Sequence, residues 1–253
     1  MTTLQVKSAT RAIEILEHLK DARQPRAMSE IATDLGYPQS SATVLLKTLV
    51  TLGYLNFDRL ERVYFPTLKV TALGDWIPET LFGQRGMLEA MRDVHAATGE
   101  TVSINSRNDI YLQYVKIIQS THALRFHVDE GTLRPLTRTV SGWVLLSIMP
   151  DDKIDNIVRR GNIAISKPAD RITTSEMMAH IREIRVKGYG YVENVPFLGG
   201  GTISVLLPTK IQNQPVTLAL GGAAERIRQN FRRYLTVLQR AAKSVSVEDS
   251  DDI

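Results

Sequence analysis

Apolar residues recur at helical spacing through Ala9, Ala12, Ile13, Leu16 and Leu19, with Ser8 placed to cap the start, so a first helix is predicted up to Lys20. The segment 21–27, containing Pro25, ends it. A shorter helix is predicted over 29–35, with Ile31, Ala32 and Leu35 as its buried stripe. Gly36-Tyr37-Pro38 then turns the chain, because glycine accepts positive φ and proline suits a helix start. A third helix is predicted over 39–52, stopped by Gly53. At about 100° per residue, Ala42, Leu45, Leu46, Leu49 and Leu52 share its inner face, while Ser40, Thr43, Val44, Lys47 and Thr51 share its outer face. Two strand-like runs, 54–57 and 63–65, flank Asp58-Arg59-Leu60-Glu61-Arg62, the pattern of a hairpin with a basic tip.

Helical patterning continues over 68–75 and 79–97, interrupted by Pro78, Gly83 and Gly86. A linker helix is expected there, with the domain boundary near residue 76 and Trp76, Leu81 and Phe82 as candidates for packing between domains or subunits. After Gly99 the period becomes that of strands, over 101–107, 110–118 and 123–128. Helices follow over 141–148, 151–160 and 174–187, then strands over 189–195, 202–207 and 216–220, and a closing helix over 225–245. This order predicts an α+β chain whose larger domain is an antiparallel sheet with helices on its faces.

Composition narrows the reading chiefly by exclusion. At 253 residues, 43% hydrophobic and 23% charged, the chain suits a small domain joined to a larger one. The absence of cysteine removes disulfides, thiolate nucleophiles and the common structural zinc sites. No apolar run approaches the roughly eighteen residues of a membrane span, and the N-terminus lacks a signal-peptide pattern, so a cytoplasmic protein without a membrane partner is expected. Net charge is +4, but residues 1–74 hold nine Lys or Arg against seven Asp or Glu, so charge alone does not find a partner.

Nor does the chain read as an enzyme. His18, His95, His122, His127 and His180 are scattered; His122, His127 and Asp129 come nearest to a metal set, yet on a strand the two histidines would point to opposite faces. Gly199-Gly200-Gly201 has no following Lys-Ser/Thr, and no serine lies in a G-x-S-x-G elbow. Neither a cofactor nor a metal is expected.

Short helix, glycine turn, longer helix and basic hairpin follow in the order of a winged helix-turn-helix, whose longer helix enters the major groove of double-stranded DNA. The outer face of the third helix carries no acid and can approach phosphates. Lys7, Arg11, Lys47, Arg59 and Arg62 are the candidate phosphate donors; Gln39 offers a bidentate contact to adenine and Val44 an apolar one to a thymine methyl, with Ser40, Ser41 and Thr43 beside them. The alternative for Val44 is a seat against protein, reading nothing.

Five blocks in order carry a resemblance: residues 8–16, Ser29-Glu30-Ile31-Ala32, residues 36–41, residues 45–49 and Leu52-Gly53-Tyr54-Leu55. Together they resemble the DNA-binding domain of IclR-type transcription regulators. Relatives commonly carry an aromatic or His followed by Arg where this chain has Thr43 and Val44, which predicts a different operator. The resemblance implies a winged helix-turn-helix over 1–67, a linker helix over 68–80 and a GAF-like domain over 81–253 that binds a small-molecule effector and forms a homodimer or homotetramer. Carried across position by position, it implies an effector site at Val140, Ser141, Val192, Glu193, Thr202, Ser204, Ala219 and Gly221. Ala219 and Gly221 stand where acid-binding members often have serines, so a larger, more apolar ligand such as an aromatic acid is expected. The loop 196–201 could close over it or be a plain surface turn, and Glu193 could be a pocket acid or a solvent-exposed strand residue. An architectural DNA-binding protein without an effector, or an enzyme, are the competing readings.

Overall fold

The computed structural model describes residues 6–74, 86–168 and 171–245. The chain divides into two compact units, Met1–Thr80 and Leu81–Ile253. In the first, α1 (Lys7–Ala22), α2 (Met28–Asp34) and α3 (Gln39–Thr51) pack around Ile15, Leu19, Ile31, Leu46 and Leu49. The buried stripe of α1 is thus carried by Ile15 and Leu19, while Ile13, expected inside, is exposed. Ser8 lies within the first turn, and the N-cap is Val6, which offers no side-chain bond. Helix α2 opens differently: the Glu30 carboxylate accepts from the Ala27 N–H at 2.7 Å, satisfying a donor that the helix leaves free.

Three strands complete this unit. β1 (Arg26–Ala27), β2 (Leu55–Asp58) and β3 (Val63–Pro66) form an antiparallel sheet in the order β1-β3-β2, closed on the helices by Leu55 and Tyr64. The sequence pattern does not predict β1. At the hairpin tip Asp58 Oδ1 accepts from the Leu60 and Glu61 N–H groups, fixing the turn with a side chain in place of a longer ladder. Helix α4 (Leu68–Ala72) starts on Thr67, whose hydroxyl donates to Gly53 O at 2.6 Å, while Lys69 Nζ donates to Leu52 O at 2.8 Å and sits over the Tyr54 ring. Leu52 therefore serves as a helix end and is exposed, against the expectation that it joins the core. The rest of the expected linker helix, with Trp76, Leu81 and Phe82, lies outside the described residues.

The second unit is a six-stranded antiparallel sheet with the order β6-β5-β4-β9-β8-β7. Its strands are β4 (Thr101–Asn108), β5 (Tyr111–Ile118), β6 (Leu133–Pro135), β7 (Gly190–Glu193), β8 (Gly200–Ile211) and β9 (Gln214–Ala223). Helices α5 (Met87–Thr98) and α9 (Ala224–Ser244) cover one face through Met91, Val94, Ile227, Tyr234 and Leu238, packed on Val102, Ile104, Ile203, Val205, Leu218 and Leu220. Helices α6 (Val140–Ser147), α7 (Asp151–Ala164) and α8 (Thr174–Lys187) form a second core with Leu112, Leu136 and Val192. The run 123–128 is not a strand, contrary to its alternating pattern; it forms a loop in which Val128 O accepts from Gln119 Nε2.

Candidate functional site

Helix α3 presents its outer face as the period requires. Val44 is 65% exposed, and Gln39, Ser40 and Lys47 are exposed with it, whereas Ser41 and Thr43 are half-buried. The Thr43 hydroxyl donates to Gln39 O and that of Thr51 to Lys47 O, so these threonines are occupied by their own helix. Val44 does not sit against protein. Lys7 is exposed, as are Arg59 and Arg62 at the wing tip, where Leu60 between them is 92% exposed. Arg11 differs: its guanidinium stacks over the Tyr37 ring at 4.8 Å, and the Tyr37 hydroxyl donates to Glu14. Burial and the Glu14 bond push that phenol up to about 12. Arg11 thus holds the turn before α3 as well as carrying charge.

The surroundings of the expected effector residues follow from strand alternation. Since Val102, Ile104, Ile203, Val205, Leu218 and Leu220 face α5 and α9, their neighbours face the other way. Register then sets them in rows: Thr101, Gly221 and Thr202; Ser103, Ala219 and Ser204; Asn105, Thr217 and Leu206. A bulge leaves Val115 opposite no residue of β4, so that Asn105 pairs with Tyr114 and the phenol joins this face. The first two rows floor a cleft, Ser141 at the start of α6 reaches it from above, and Tyr114, Phe126, Val128 and the 195–197 segment wall it. Phe126 and Phe197 stack with ring centroids 5.3 Å apart.

The polar groups beneath this cleft are incompletely satisfied. Asn105 Nδ2 donates to Ser141 Oγ at 3.4 Å and to Thr217 Oγ1 at 3.3 Å, but Asn105 Oδ1 and Ser204 Oγ are buried with no hydrogen-bond partner. Such groups cost about 1–3 kcal/mol each unless something binds them. At Gly221 a Cβ would lie 3.3 Å from Thr202 Oγ1, so a larger residue there would crowd the cleft.

Of the residues expected here, Ser141, Thr202, Ala219 and Gly221 line the cleft, and Ser204 lies beneath it in the second row. Val140 does not; it is buried in the core of α6–α8, with a methyl 2.5 Å from where a Cβ on Gly190 would be. Glu193 is also a correction. Its partner across the strands is Gly201, one step out of phase with Val192, so it turns toward α9 and pairs with Arg228 while accepting from Tyr191. Those hydrogen bonds hold its carboxyl at about 2, against an ordinary 4.5. The pair therefore stabilises the fold fully above the ordinary glutamate range and ceases to do so as pH falls through about 2. Glu193→Gln is expected to melt below the wild type at neutral pH, with the gap closing between pH 4.5 and about 2; a gap independent of pH would contradict this assignment.

Phe197 comes from the loop 196–201 expected beside the ligand, whereas Ser103, Tyr114 and Phe126, which line the cleft, and Asn105 beneath it were missed by sequence reasoning. Ser103 and Asn105 were detectable, because polar residues interleaved with Val102 and Ile104 mark a second, polar face. Among the described residues, no group of three or more His, Cys, Asp or Glu side chains is placed to hold a metal, and no helix is long and apolar enough to cross a membrane. His127 bonds Asp129 at 3.0 Å, while His122 faces Thr98 O and Glu100.

A winged helix-turn-helix with an exposed, acid-free reading helix, and a second unit with a walled cleft, define a transcription regulator of two-unit type. The model for the bacterial transcriptional regulator IclR C-terminal domain matches residues 85–247, and that for the IclR helix-turn-helix domain matches residues 8–59. The chain belongs to the IclR family and is a DNA-binding transcriptional regulator. It is 24% identical to the HTH-type transcriptional regulator KdgR of Escherichia coli K12 over 246 residues, 96% of this chain and 92% of that protein. The transcriptional repressor IclR of the same strain is 20% identical over 260 residues, 97% of this chain and 90% of that one. The crystal structure of the effector domain of a transcriptional regulator IclR from Acinetobacter sp. ADP1 is 54% identical, with a TM-score of 0.62, covering 65% of this chain and 96% of that one. The Thermotoga maritima IclR structure shares the fold at a TM-score of 0.75 and 18% identity, covering 95% of this chain and 97% of that one.

Proposed function

We propose that this regulator is controlled by an organic acid, an aromatic one by preference, bound in the cleft between the β4-β9-β8 rows and the 195–197 segment. The observation that carries the reading is a pair of buried, unpartnered polar atoms, Ser204 Oγ and Asn105 Oδ1, under a cleft walled by Tyr114, Phe126 and Phe197. Protein interiors rarely leave such atoms unpaired without a function for them. The similarity to an Acinetobacter protein described as an effector domain supports the same assignment. The cleft holds about 60 Å³ of free space, several waters' worth, so a ring acid enters as the 195–197 segment draws back.

DNA is read by Gln39, Ser40 and Val44, with Lys7, Lys47, Arg59 and Arg62 on phosphates. Two copies in a cytoplasmic homodimer place their α3 helices in successive major grooves, and the effector acts by binding the DNA-competent and incompetent arrangements with different affinity. Equilibrium binding to an operator fragment, with and without benzoate or glyoxylate, tests the control. A several-fold change with benzoate alone is expected; a change with glyoxylate alone would give the cleft to small acids, and none with either acid would favour an architectural protein.

Residue roles on DNA separate by salt. Lys47→Ala is expected to weaken binding on many sequences and lower the slope of log affinity against log salt by about one, whereas Gln39→Ala costs about 1–3 kcal/mol at particular base pairs only. Equal losses of both variants on random DNA would reverse these roles.

A further inference from the structure

We propose that Arg134, at the margin of the cleft, is the residue that recognises the acid group of the effector. This rests on the effector reading above and adds the ligand's charge to it. No lining residue of the cleft is ionisable near neutrality except through its neighbours: the walls are hydroxyl, aromatic, aliphatic and glycine positions. A carboxylate entering such a site without a cation would lose its hydration with nothing to replace it.

Cations near the cleft differ in what already holds them. Arg226, next to the Gly222 wall, is committed to Glu100 by two hydrogen bonds of 2.5 and 2.8 Å. Lys116 on β5 is in register with Ile104, on the face turned to α5 and α9, and is paired with Glu130 at 2.8 Å. Arg134 on β6 pairs in register with Leu112, two positions before Tyr114, and among the described residues no carboxylate lies within ion-pair distance of it. Its guanidinium sits over the Phe197 ring at 4.5 Å, and its Nε is buried with no acceptor. Both flanking rings, Tyr114 and Phe197, line the cleft. Burial pushes the Tyr114 phenol up and the Arg134 charge beside it pulls the other way, consistent with the two groups facing each other.

The arrangement has the parts of an anion clamp. The guanidinium over Phe197 also hydrogen-bonds the Tyr114 side chain, and its N–H groups form the planar fork that can donate two parallel hydrogen bonds to a carboxylate. The Tyr114 hydroxyl supplies a further donor. Because Phe197 belongs to the segment that walls the cleft, an acid held by Arg134 would also contact that wall.

The test uses the full chain with two probes of one shape, benzoate and the neutral benzamide, titrated calorimetrically. Wild type is expected to prefer benzoate by at least about tenfold; in Arg134→Gln the ratio of benzoate to benzamide affinity should fall to near one, and Arg134→Lys should keep part of the preference. A preference unchanged in Arg134→Gln overturns the proposal while leaving the cleft as the effector site. Binding of neither probe to the wild type removes the aromatic-acid reading and this proposal together. Should Arg134→Gln fail to fold, arginine modification of the wild type by phenylglyoxal, mapped by mass spectrometry, gives the answer. Protection of Arg134 by benzoate and not by benzamide is expected, and equal labelling with and without bound benzoate overturns the proposal.

Discussion

Glu100→Ala is expected to cost the second unit about 3 kcal/mol in urea or thermal unfolding, because it leaves Arg226 without the carboxylate that neutralises it. The Glu100 side chain is wholly buried, and its carboxylate spans the Arg226 Nε and Nη2 groups from beneath Gly222, where a Cβ would lie 2.1 Å from Oε2. Arg226 also donates to Leu124 O, tying α9 to the loop that carries Phe126 into the cleft. Part of the Arg226 side chain reaches solvent, which keeps the loss at the lower end of what a broken buried pair costs. A double variant, Glu100→Met with Arg226→Met, removes both charges and is expected to regain most of the stability. If it melts with the single variant, the loss belongs to packing and the charge argument fails.

Gly142→Ala should be nearly as damaging, at about 2–4 kcal/mol, through one added methyl. That methyl would meet Leu136 O at 2.2 Å and Thr139 Oγ1 at 2.6 Å. Neither can yield easily: the first is backbone, and the second is the cap of α6, accepting from the Gly142 N–H at 3.1 Å. Relief requires the start of α6 to lift from the sheet, taking Ser141 away from Asn105 and the cleft. Unfolding and benzoate titration on the same sample should therefore fail together in Gly142→Ala. Ser141→Ala, which loses only the hydroxyl, should keep its fold and lose affinity alone.

Elements that declare themselves locally were legible in the sequence. The helices, the Gly36 turn, the wing and the exposed position of Val44 all follow from periodicity and turn chemistry within short windows. What was hidden depends on partners distant in the chain. Strands β1 and β6 have two and three residues, too few to show a period, and exist because β3 and β5 offer them an edge. The 123–128 run has strand-like alternation but no edge to join, and Phe126 packs instead on Phe197. Val192 and Glu193 were carried over together, but adjacent residues on a strand take opposite faces, and Glu193 takes the one away from the cleft. Arg134 gave no signal, since its chemistry comes from rings at 114 and 197.

The interleaving on β4, β9 and β8 separates two kinds of change that the sheet can accept. Positions 102, 104, 203, 205, 218 and 220 seat the helices, while 101, 103, 202, 204, 219 and 221 face the cleft side. If the cleft binds an effector as proposed, single substitutions at alternate residues would alter its lining while leaving the helix-bearing side untouched. The same strand then holds a fixed record of the fold on one side and a rewritable one on the other.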